Sequence, residues 1–102
     1  MKTRVLLLGL KGTVVDDVRQ RLQLPDVEIF GGTGIDDLRA TFAQTRIDHV
    51  IMGGGLDLEV RLALIHEIFS SSETTTVHMK DVASGPQAFF PFVQSVVRGL
   101  RG

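Results

Sequence analysis

His49-Val50-Ile51-Met52-Gly53-Gly54-Gly55 is a short apolar run that stops at three glycines. A parallel strand covered by helices on both faces reads this way, because it has no solvent side to demand alternating polar residues. The same arrangement occurs twice upstream. Val5 to Leu8 runs into Gly9-Leu10-Lys11-Gly12, and Val27 to Phe30 runs into Gly31-Gly32-Thr33-Gly34. Thr75 to Met79, with its high β propensity, supplies a fourth strand.

Between the strands the apolar period changes to that of a helix. Thr13 to Leu24 is expected to be helical: Thr13 suits the N-cap, Asp16 and Asp17 suit the positive end of the helix dipole, Val14, Val18 and Leu22 share one face, and Pro25 stops the element. A second helix is expected over Ile35 to Thr45, a third over Asp57 to Ser70, and a last over Gln87 to Leu100. Pro91 puts the regular start of that last helix near Ala88.

Four β-α units at a step of about twenty residues make one α/β domain over residues 1–102, a three-layer open parallel sheet with helices on both faces. Thr13 to Arg19 lines up with Thr33 to Arg39, which common demands on helix starts explain as well as duplication does. Right-handed crossovers leave strand orders 2-1-3-4 and 3-2-1-4, and 2-1-3-4 is preferred. Ligands of such sheets bind at the carboxyl ends of the strands where the order reverses. That places the site at the Gly9 to Thr13 and Gly53 to Asp57 turns and leaves its chemistry open.

Composition narrows the classes. With 102 residues the chain has room for a single core. An apolar fraction of 43% and a charged fraction of 23% match ordinary globular proteins. A net charge of −1 with scattered Lys and Arg gives no basic stripe, so nucleic acid is not an expected partner. There is no cysteine for a disulfide, a thiolate zinc site or a thiol nucleophile. The run from Met1 to Leu10 ends at Lys11 without a small-residue cleavage pattern, so it reads as a first strand and no membrane segment is expected. The expected location is the cytoplasm.

The glycine turns could hold an anion, since glycine lets the backbone approach closely and helix N-termini present free N–H groups. Gly9, Lys11, Gly12, Thr13, Gly53, Gly54 and Gly55 are the ligand-binding candidates there, for a small anionic ligand such as a nucleotide or phosphate. The specific fingerprints are missing: Gly9, Lys11 and Val14 stand where a dinucleotide fold places three glycines, and no Walker lysine follows a glycine at the required spacing. Acids at each helix start, Asp16, Asp17, Asp36, Asp37, Asp57 and Glu59, oppose a phosphate. The other explanation of the glycines is a tight strand-to-helix turn.

His78, Lys80 and Asp81 lie at the end of the fourth strand, on the same edge, and complete the candidate set. A histidine near an aspartate there can serve as acid or base. Thr76, His78 and Lys80 share one face of the strand, where inward charge also deters edge-to-edge pairing. His49 is expected at the opposite end of its strand and His66 on a helix, so a shared metal is not expected. No nucleophile elbow occurs, and Asp16-Asp17 and Asp36-Asp37 are sequential pairs that do not face one another. The sequence assigns no catalytic residue and requires no cofactor. Flavin is disfavoured by the lack of Trp and Tyr.

The spacing resembles a two-component receiver domain over about the first 80 residues, chiefly in Asp48-His49-Val50-Ile51-Met52 and Thr76-Val77-His78-Met79-Lys80. In receivers a phosphorylated aspartate ends the third strand, where Gly53 stands here, and an acidic pair follows the first strand, where Gly9 and Leu10 stand. The resemblance implies a receiver-like or flavodoxin-like scaffold without acceptor or magnesium site and without a fifth β-α unit. Val50 to Leu56 also resembles small uncharacterised bacterial proteins, which imply no activity.

The third helix carries two apolar stripes. Leu58, Leu62, Ile65 and Phe69 suit the core, and Val60, Leu64 and Ile68 are then surplus. Phe89 and Phe90 in the last helix are surplus too. Exposed apolar stripes point to a partner, so a homodimer is expected through Val60, Leu64, Ile68, Phe89 and Phe90. The expected function is a non-catalytic binding or interaction domain, with a nucleotide- or phosphate-binding protein or enzyme as the alternative.

Overall fold

The computed structural model describes residues 2–10 and 14–101. Its elements run β1 (Thr3–Leu8), α1 (Val14–Leu22), β2 (Val27–Gly32), α2 (Ile35–Gln44), β3 (His49–Met52), α3 (Leu58–Ser71), β4 (Thr76–Met79), a 3-10 turn (Pro86–Ala88) and α4 (Phe89–Arg101). The four strands are all parallel, in the order β2-β1-β3-β4. This is the 2-1-3-4 order expected from the sequence, and it is compatible with a flavodoxin-like or receiver-like fold.

Period two sorts the strand residues into two cores. Leu6, Leu8, Val50 and Met52 meet Leu38, Ile47, Leu56, Leu64 and Ile68 on the α2 and α3 side. Val5, Leu7, Ile29 and Ile51 meet Val15, Val18, Val93 and Val97 on the α1 and α4 side. Burying strands on both faces explains their unbroken apolar runs. Among the described residues no helix is long and apolar enough to cross a membrane.

The helix boundaries lie within one or two residues of expectation, and the difference at the end of the first helix has a clear reason. The first helix ends at Leu22, before Pro25 can act, because Gln23 turns into the left-handed region at φ 49°. Its N–H donates 3.3 Å back to the Arg19 carbonyl, which closes the helix end. The Arg19 guanidinium then reaches the Ile29 carbonyl through Nε at 3.0 Å and also through Nη2, tying α1 to the edge strand β2. At the other end of the chain, Gly85 at φ 80° turns the backbone into Pro86, and Pro91 falls harmlessly in the first turn of α4.

The stripes of α3 are the reverse of those expected. Leu64 and Ile68, assigned to an exposed interface from sequence, are 1% and 0% exposed in the core. Leu58, Leu62 and Phe69, assigned to the core, are 58%, 55% and 55% exposed, while Ile65 is half-buried. Val60 stays exposed. Two equally apolar stripes cannot be ranked by periodicity. The rotation of α3 follows from its neighbours: Leu56 anchors the entry in the core, and an ion pair of 2.9 Å joins Arg39 on α2 to Glu67. With Glu67 turned to α2, Leu64 and Ile68 face the sheet and Leu62 points away from both.

Candidate functional site

A cavity of about 470 Å³ opens at the carboxyl ends of β1, β3 and β4, between the start of α1 and the start of α4. Its position is the switch point that the strand order dictates. Leu7, Leu10, Val15, Val18, Val82, Phe89 and Phe90 make most of its wall, so it is largely apolar. Leu10 and Val82 are also well exposed and form an apolar lip.

Polar groups in the wall are few. Lys80 lines the cavity and is only 3% exposed. Its backbone N–H extends the β3–β4 ladder by donating 2.9 Å to the Met52 carbonyl, which fixes the residue at the strand end. Its ammonium donates 2.9 Å to the Asp81 carbonyl, and the Asp81 carboxylate lies 4.0 Å away. That carboxylate faces solvent and accepts a 2.5 Å bond from the Ser84 hydroxyl. The Ser84 bond, aided by Lys80, holds Asp81 below its ordinary pKa. A buried amine with one close acceptor among the described residues has donors to spare for an anionic group, since an ammonium carries three N–H bonds. Across the cavity Asp17 and Arg21 pair at 3.4 Å, and the Arg21 guanidinium sits 3.7 Å above the Phe90 ring.

Gly9, Gly54 and Gly55 line this cavity with Lys80, whereas Lys11, Gly12 and Thr13 lie outside the described residues. The glycines of the second turn have packing duties. A Cβ on Gly54 would stand 2.6 Å from the Asp81 carbonyl oxygen, and one on Gly55 would stand 2.9 Å from the Leu10 side chain. Gly53 is buried below Phe89, with its N–H donating 2.8 Å to the Leu8 carbonyl. Phe89 and Phe90, assigned to an interface from sequence, are half-buried here and pack into the α1 and α4 core.

His78 departs from the group it was placed with. It pairs in register with Ile51, not with the strand end, and is not among the residues that line the cavity. Its Nε2 lies 2.9 Å from the Thr76 hydroxyl, and His49 Nδ1 lies 2.6 Å from the same oxygen. His49 begins β3, as expected, and His49 and His78 are neighbours, with ring centroids 6.2 Å apart. Burial lowers the pKa of His49, opposed by Asp48 and reinforced by His78. His66 stays apart on α3.

Sequence reasoning missed the α1 wall of Val15, Val18 and Arg21, and the Val82 lip. Val82 carries a usable signal, an apolar residue in an otherwise polar turn. The side of α1 that faces the cavity carries none, since helical periodicity marks only that Val18 is inward. Comparison with protein-family models, with curated proteins and with solved structures found no match to this chain.

Proposed function

We propose that this domain is a non-catalytic binding module whose ligand is a small molecule with an apolar body and an anionic head. The observation that carries the reading is Lys80, buried in the wall of a largely apolar cavity of about 470 Å³ at the switch point. The volume falls within the usual ligand range of roughly 300–1,000 Å³, and convergent polar groups in apolar walls are the common pattern of such sites. The Leu, Val and Phe walls would desolvate the body, and the spare donors of Lys80 would meet the head. A carboxylate suits this site better than a nucleotide polyphosphate, because the Lys80 ammonium stands among apolar side chains while the other cation of the wall, Arg21, is already paired with Asp17.

The test is a thermal-shift and calorimetry panel of octanoate, decanoate, phenylacetate, ATP and inorganic phosphate on wild type and Lys80→Met. Medium-chain or aromatic carboxylates are expected to raise the melting temperature of wild type, with affinity falling at least tenfold in the variant. Stabilisation by ATP or phosphate alone, or equal carboxylate binding by Lys80→Met, overturns the reading.

A second reading, self-association, is supported by the exposed stripe of Leu58, Leu62 and Phe69, with Ile65 beside it. Steps of four, three and four residues are those of a helix-pairing seam. The occupant is a second copy. Glu59 and His66 flank one side of the stripe, so an antiparallel pair of α3 helices sets each Glu59 carboxylate opposite an imidazole it can accept a hydrogen bond from. Sedimentation of the wild type as a monomer at several hundred micromolar sinks this reading.

A further inference from the structure

The β3–β4 edge of the sheet carries a second polar cluster, remote in chemistry from the cavity. Thr76 is exposed and His49 and His78 are half-buried, so solvent reaches the cluster. His49 and Thr76 are register partners on adjacent strands, and His78 follows Thr76 by one period on the same face.

We infer that His49 and His78 chelate a divalent transition metal of the copper or zinc kind on this face. The two imidazoles come from different strands, yet His49 Nδ1 and His78 Nε2 both aim at one point, the Thr76 oxygen, at 2.6 Å and 2.9 Å. Backbone pairing holds both strands, so the convergence costs little chain entropy, and an ion at about 2.0 Å from both nitrogens would take the place of the Thr76 hydroxyl, which rotates aside about its own χ1. Imidazole selects copper, zinc and nickel over the hard cations calcium and magnesium. The nearest carboxylate in sequence, Asp48, is engaged by the Arg4 N–H at 2.9 Å and the Arg46 guanidinium at 3.3 Å. Among the described residues no group of three or more His, Cys, Asp or Glu could hold a metal, so this pair leaves coordination positions for water or an outside ligand. That is an open site, not a closed structural one.

The experiment is titration of the full chain with Cu2+ and with Zn2+ in competition with a chromogenic chelator, and paramagnetic resonance of the Cu2+ form. One equivalent is expected to bind wild type, with splitting from coordinated nitrogens. His49→Gln and His78→Gln are each expected to weaken binding at least tenfold, and His66→Gln to leave it unchanged. Thr76→Val is expected to retain binding, because both imidazoles remain. Circular dichroism confirms that each variant is folded. Wild-type binding no tighter than that of the His49→Gln/His78→Gln double variant, or loss on His66→Gln instead, overturns the inference.

Discussion

The position that a Cβ would take on Gly54 is 2.6 Å from the carbonyl oxygen of Asp81. The β3–α3 turn and the segment after β4 are therefore packed backbone against backbone, and this contact holds the Lys80-Asp81 corner against the cavity. Gly54→Ala must push the two segments apart. It is expected to cost about 1–3 kcal/mol, as overpacking does, and to weaken ligand binding at Lys80. At Gly34, where the added Cβ meets nothing within 4 Å, the same change is expected to stay within about 0.5 kcal/mol. Urea denaturation of both variants checks the contrast.

The two stripes of α3 predict opposite behaviour for neighbouring leucines. Leu64→Ala empties a site that is 1% exposed and is expected to cost about 2–5 kcal/mol. Leu62→Ala, at a site 55% exposed, is expected to cost less than about 1 kcal/mol. If self-association uses this stripe, Leu62→Asp gives a folded monomer while Leu64→Asp fails to fold. Chemical denaturation and sedimentation on the same preparations separate the two effects.

Gln23 occupies the left-handed region at φ 49° without the freedom of glycine. Gln23→Gly removes that strain where α1 ends and is expected to raise stability by about 0.5–1 kcal/mol despite the added entropy of the unfolded chain. A lower denaturation midpoint in the variant would refute the role assigned to Gln23.

His49 titrates below its ordinary value of 6.5 in the folded state. Between the folded and the ordinary value the unfolded chain binds more protons, so stability rises with pH there. The contribution is complete above about 6.5 and is lost as pH falls toward the folded value. His49→Gln is expected to flatten this part of the stability profile. Melting temperatures across the acidic range, compared with His66→Gln, provide the measurement.

Strand positions and the edge that carries the cavity were legible in the sequence, because their signals are local, whereas strand order was narrowed only to 2-1-3-4 and 3-2-1-4. Unbroken apolar runs mark buried strands, glycines mark the turns at their ends, and crossover handedness prunes the topologies. Lys80 was legible as a residue at that edge for the same reason. Tertiary structure alone decided which stripe of α3 is buried, since both are apolar and only packing against the sheet and α2 sets the helix rotation. It alone turned Phe89 and Phe90 into a cavity wall. It also alone brought His49 to Thr76 and His78, residues 27 and 29 positions away in the chain. Periodicity reports which way a side chain points within its own element. Which residues meet across elements depends on register and helix rotation, which many distant contacts settle together.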